Sequence, residues 1–290
     1  NITIEIGELV RDYLDITFND DYLSHTRWAK AIVTYFNAAD EPYSYNSPQT
    51  FTYIATDGYG YFEDGTNAEL NRNLLISSLN KYIPENTAGK IPIFAEGVGK
   101  VVIDSTTTEI TDNGNTNQKI QYITIPQNSS TVQIYDTDDS TLLKTIKVTN
   151  LCEPKFTPYK ITFVNKFGAF EDLYFFKRSS ETLTVTNEKY KRNTVTNIAS
   201  EYSTSEGQSQ LYNVNGNTTL NLNTGFISET MNETIEELFL SENVWIRYEN
   251  KTLPVITKTK NLAYRTVLND KLINYTVDFE FAFDKVNNVR

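Results

Sequence analysis

Residues 273–283 read Ile-Asn-Tyr-Thr-Val-Asp-Phe-Glu-Phe-Ala-Phe, apolar at every odd position and, Ala282 aside, polar at every even one. Successive side chains of a strand point to opposite faces, so this alternation describes a β-strand with one face in a core and the other in water. At about 3.3 Å per residue such a run reaches roughly 36 Å, twice the ordinary strand length. Asn269-Asp270 marks a turn before it, and Leu262–Leu268 is expected to return as its hairpin partner. A hairpin that outgrows its domain leaves bare edges, which are aggregation hazards unless another copy covers them. The expected contact residues between copies are Leu262, Tyr264, Thr266, Leu268, Ile273, Tyr275, Val277 and Phe279, with Asp278 and Glu280 on the opposite face.

Upstream of this run, Thr230-Met-Asn-Glu233 matches a capping box, and Met231, Ile235, Leu238 and Phe239 form one apolar helical stripe, which predicts a helix ending near Leu240. The rest of the chain alternates in short segments. Strands are expected over Lys30–Phe36, Phe51–Thr56, Lys100–Asp104, Lys119–Ile125, Thr131–Tyr135 and Leu142–Val148, then over Tyr159–Val164, Asp172–Lys177 and Glu181–Thr186. Glu8–Asp15 reads as a short helix or the start of a strand. The alternation stops at Asn150–Pro158, which sets the expected boundary between an N-terminal β domain, residues 1–150, and a second domain, residues 151–290. The fold class is mainly β: two sandwich- or barrel-like domains, the second with one packed helix and a long C-terminal hairpin.

Composition points the same way. Thr with Tyr and Phe favours pleated strands, and Asn and Thr together supply 69 of the 290 residues. A net charge of -11 denies the chain the positive field behind most nucleic-acid or anionic-membrane affinity. No apolar run approaches the roughly 20 residues needed to cross a bilayer, and no signal peptide is read at the N-terminus.

Chemistry is sparse. His25 and Cys152 are single, so neither a serine triad nor a soft-ligand zinc site can be assembled around them; His25 reads as a loop histidine and Cys152 as a small buried hydrophobe. Gly58-Tyr-Gly60-Tyr-Phe-Glu63 lacks the third glycine of a dinucleotide fingerprint, and no P-loop is present. Asp136–Ser140 lacks the central glycine of a calcium loop and reads as a solvated turn. Asp278 and Glu280 rise side by side from one strand, whereas glycosidase carboxylates face each other across a substrate. No catalytic residue, metal ligand or cofactor is expected. Tyr59, Tyr61 and Phe62 could stack on a sugar ring, although a core strand with a turn is the simpler reading. Lys189-Tyr-Lys191-Arg192 reads as a solvated strand end.

Residues 157–177, TPYKITFVNKFGAFEDLYFFK, with GFISET at 225–230 and LNDKLINYTVDFEFA at 268–282, resemble structural proteins of tailed-bacteriophage virions. YIATDGYGYFEDG at 53–65 is similar to the first half of such proteins. The resemblance implies a non-enzymatic tail, baseplate or neck component, made in the host bacterial cytoplasm and stacked as a homo-oligomeric ring, sixfold or twelvefold. Other phage tail or neck proteins would be its neighbours and DNA only a passing cargo, with Asp278 and Glu280 facing the lumen and nothing inserted in a membrane. Tail-tube proteins build their wall from a β-sandwich, a packed helix and long hairpins, and the helix and C-terminal hairpin here are similar to that layout. The alternative is a carbohydrate-binding module of the virion or cell surface using Tyr59, Tyr61 and Phe62; an enzyme acting on glycans ranks third.

Overall fold

The computed structural model describes residues 5–34, 36, 48–66, 70, 74–112, 114, 119–138, 140–153, 155–193, 203–205, 207–261 and 272–286. A short helix α1 (Gly7–Arg11) precedes a two-stranded ribbon, β1 (Arg27–Val33) with β2 (Gln49–Ala55).

Strands β3 (Asn80–Pro84), β4 (Gly89–Phe94), β5 (Lys100–Ile103), β6 (Thr106–Glu109), β7 (Ile120–Ile125), β8 (Thr131–Tyr135) and β9 (Leu142–Leu151) form two layers. One is a five-stranded sheet in the order β3-β9-β8-β5-β6, and the other is the antiparallel pair β4–β7. Only β3 and β9 run parallel within that sheet. Their inward residues, among them Ile83, Ile91, Val101, Ile125, Ile134 and Ile146, close one core.

The second half is a seven-stranded antiparallel sheet in the order β11-β10-β15-β16-β18-β13-β12. Its strands are β10 (Tyr159–Val164), β11 (Phe170–Phe175), β12 (Ser180–Lys191), β13 (Ser209–Asn223), β15 (Val244–Tyr248), β16 (Lys251–Thr257) and β18 (Thr276–Phe281). A short pair, β14 (Ile227–Ser228) and β17 (Leu272–Ile273), lies beside it. Helix α2 (Asn232–Leu240), entered through a 3-10 turn at Glu229–Met231, covers one face of the sheet. Met231, Ile235 and Leu238 are buried there with Leu220, Leu222, Val277 and Phe279, the expected stripe meeting the expected alternation.

The helix cap differs from the expected capping box. Ser228 accepts from the Thr230 amide, while Thr230 Oγ1 donates to Ser228 and Glu233 turns away to Lys166. The extra 3-10 turn moves the start of the helix forward, so Thr230 is no longer its first residue.

The C-terminal strand is also corrected. Its odd residues from Ile273 to Phe281 do face inward, but Phe283 is exposed, and the strand is broken at Asn274–Tyr275 and regular only over Thr276–Phe281. It pairs with β13 on one side and β16 on the other, so it is an interior strand with no bare edge. Leu262, Tyr264, Thr266 and Leu268 lie outside the described residues.

Candidate functional site: an uncovered arm and a charged seam

The long two-stranded ribbon of this protein is β12–β13. All 12 residues of β12 are exposed, as are Ser209–Val214 of the 15-residue β13. Pairing runs from Ser180–Asn221 to Lys191–Ser209, with one extra β13 residue between the Thr186 and Glu188 pairs. Asn213, at φ 49, turns the backbone at this bulge. The root is ordinary sheet: Gly216, Thr218, Leu220 and Leu222 face the core. Beyond it the ribbon continues with no cover among the described residues, and Leu183, Val185, Tyr190, Leu211, Tyr212 and Val214 are each about half exposed. The tyrosines brace the arm: Tyr190 and Tyr212 meet edge to face at 5.8 Å, and Tyr190 Oη donates to Gln210 at 2.7 Å. The opposite edge of the same sheet, β11, is wholly buried, because β3 and β4 lie against it. One edge of the seven-stranded sheet is therefore sealed within the chain, and among the described residues no strand pairs with the other.

The sealed side is a seam between the two sheet systems and is unusually polar. Lys81, 2 % exposed, stands 3.4 Å from Glu171, 1 % exposed, and donates to the Asp172 carbonyl at 2.7 Å. Asn165 Nδ2 bridges from Glu171 at 3.1 Å to the Leu75 carbonyl at 2.7 Å. Glu237 of α2 accepts from Ser77 and from the Lys166 amide. Burial, with the Glu171 charge next, pushes the Glu237 carboxyl up to about 8. Tyr22 donates to both Asp172 oxygens, at 2.8 and 2.6 Å. Buried charges persist only when paired and hydrogen-bonded, and here the partners come from both halves of the chain.

The turn carrying Lys166 also holds the Tyr59 segment. Gly168 has φ 73, and a Cβ there would fall 2.8 Å from the Asp57 amide nitrogen; one on Gly58 would fall 2.7 Å from the Lys166 carbonyl. Only glycine allows the two backbones to approach this closely. Tyr59 and Tyr61 are half-buried beside Lys166, and burial first raises both phenols well above their usual range. Phe62 is fully exposed. These residues line a cleft of about 380 Å³ with Arg11, Asp57 and Glu242, in which Arg11 bridges Asp57 at 2.9 Å and Glu242 at 2.5 Å.

Other expected residues fall in different places. Ile273, Tyr275, Val277 and Phe279, read as a contact face between copies, are at most 7 % exposed and belong to their own core. Alternation reports that one face is covered, and here the cover is α2 and the neighbouring strands. Asp278 and Glu280 lie on the sheet's polar face, where Asn221 donates to Asp278 at 2.6 Å and Lys258 pairs with Glu280. Cys152, expected buried, is exposed just beyond β9, where Glu85 raises its thiol pKa; the chain has left the sheet there and no layer lies over it. His25 sits in a loop with Nδ1 3.0 Å from the Asp15 carbonyl, and burial lowers its pKa. Asp136–Ser140 forms a turn in which Asp138 accepts from the Ser140 and Thr141 amides at 2.9 and 2.8 Å. Lys189 and Lys191 are on the exposed arm.

Comparison with known proteins finds no matching family model, curated protein or solved structure. Among the described residues, no group of three or more His, Cys, Asp or Glu could hold a metal ion, and no helix is long and apolar enough to cross a membrane.

Proposed function

We propose that this chain is a non-enzymatic structural subunit of a tailed-bacteriophage virion, assembled with its own copies into a tail, baseplate or neck ring through which DNA passes as cargo. The observation that carries the reading is the β12–β13 arm, a ribbon with six half-exposed apolar side chains and an edge that no described strand covers. Such an edge needs a strand partner, and closed assemblies of one chain supply it by symmetry. The resemblance of residues 157–177, 225–230 and 268–282 to virion proteins supports the placement. In such a ring Asp278 would add negative charge to a channel-facing surface and weaken adhesion of phosphate. Sedimentation and negative-stain microscopy of the full chain test the reading. Closed oligomers support it, and a monomer at every concentration, alone and beside tail or neck proteins, refutes it.

The second reading is a carbohydrate-binding module, favoured by one observation: fully exposed Phe62 at the lip of the cleft formed with Tyr59 and Tyr61. Glycan-array binding that disappears in Phe62→Ala would select it.

A further inference from the structure

On the odd-numbered face of β12 the charge order is asymmetric: Glu181, which also accepts from Tyr248 at 3.0 Å, stands at its start and Lys189 and Lys191 near its end, while Glu188 lies on the other face. Two such strands laid antiparallel bring the acidic start of each against the basic end of the other. We infer that two copies of the chain join through their β12 edges about a two-fold axis at Val185, making the two seven-stranded sheets one continuous sheet. The inference rests on the assembly reading above and specifies the contact.

The register follows from the side chains. With Val185 opposite its symmetry mate, Glu181 pairs Lys189 twice, Leu183 pairs Asn187 twice, and Thr184 pairs Thr186 twice. Glu181, Leu183 and Val185 share the face that continues the core side of β13, since their partners are Leu220, Thr218 and Gly216. Two Val185 and two Leu183 side chains then make an apolar centre flanked by ion pairs, the usual arrangement of an interface. On the other face Thr184 meets Thr186 twice, a favourable cross-strand pairing, and Thr182 meets Glu188. Sliding the register to place Glu181 against Lys191 sets Leu183 against Lys189 and loses the apolar centre. The β11 edge cannot serve instead, being buried. Nor does the bulge interfere, because its extra residue belongs to β13. A contact of this kind closes on itself, so any ring containing it has an even number of copies and a second, different contact.

The test uses the full chain in a Cys152→Ser background, which removes the exposed native thiol. Val185→Cys is expected to form an intermolecular disulfide under mild oxidation, because residues on the axis have the short Cβ separation a disulfide requires. Leu183→Cys alone, whose partner is Asn187, is expected to link far less, whereas mixing it with Asn187→Cys restores linking. In the chain without added cysteines, Lys189→Glu breaks two ion pairs per contact and weakens association about tenfold at about 0.7 kcal/mol per pair. Glu181→Lys combined with Lys189→Glu in one chain restores it. If the wild-type chain oligomerises while Val185→Cys does not link and Lys189→Glu changes nothing, the β12 contact is wrong and the assembly reading stands. A wild-type chain that never associates sinks both.

Discussion

Replacing Lys81 tests the seam between the two sheet systems directly. The ammonium is 2 % exposed and its partner carboxylate 1 %, and Asn165 is the other described donor to that carboxylate. Lys81→Ala therefore leaves Glu171 charged, dry and short of a partner. Breaking a buried pair in this way costs about 3–5 kcal/mol, and in a chain of this size each kcal/mol lowers the melting temperature by about 2–4 °C. The expected drop is about 6–20 °C, read by thermal unfolding followed by circular dichroism and checked by urea titration. Lys81→Met with Glu171→Leu removes both charges and fills similar volume, so most of the loss should return, because a buried ion pair and an apolar pair are often near parity. A Lys81→Ala variant within about 1 kcal/mol of wild type, or a double variant no better than the single one, would refute the claim that pairing across the seam holds the halves together.

Further tests address other parts of the molecule. Glu237, at about 8, keeps a proton in the folded chain that an ordinary carboxyl at 4.5 has lost, so its contribution is full below about pH 4.5 and disappears as the pH rises through 8. Stability measured by urea titration should fall across that window, and Glu237→Gln should flatten the slope. Gly168→Ala should cost about 2 kcal/mol or more, since φ 73 and the 2.8 Å approach to Asp57 both oppose a side chain. Phe279→Ala, at 0 % exposure, should cost about 3–5 kcal/mol in chemical unfolding. Leu211→Ala on the arm should leave unfolding within about 0.5 kcal/mol of wild type while reducing association in sedimentation. The Cys152 thiol should react with a thiol reagent in the native state, more slowly than a free cysteine at the same pH because Glu85 disfavours its thiolate.

The parts of this fold that can be read from the sequence are those where one face of an element is buried. Thr131–Tyr135 and Tyr159–Val164 coincide with observed strands, and Met231, Ile235 and Leu238 lie where their helical spacing places them. The fold class, mainly β with one packed helix, follows from the same patterns. The arm escapes this reading for a physical reason. From Ser209 to Asn215 no face of β13 enters the core, and its root runs Gly-Asn-Thr-Thr before Leu220, so no apolar period exists to be found there. On β12 the alternation of Leu183 and Val185 is visible but stops at Thr186, which makes the strand look half its true length. The charged seam is equally hidden, because Lys81, Glu171 and Glu237 are far apart in sequence and each looks like a surface residue until the sheets meet. Phe62 and its cleft were within reach through the run of aromatic residues, but the exposure of that ring depends on the turn after Gly60.

The parallel pairing of β3 with β9 orders events at the ribosome. β3 ends at Pro84 and its partner begins at Leu142, with five strands of the same sandwich made in between. At about 5–20 residues per second, bacterial or otherwise, that interval lasts about 3–12 s. Throughout it Ile83 has no neighbouring strand on the β9 side, so the nascent N-terminal half must tolerate an open flank for seconds, and a stall or truncation before Leu142 would release a chain that has most of the apolar residues of its first core but lacks Ile146 and Val148 of the strand needed to shut it.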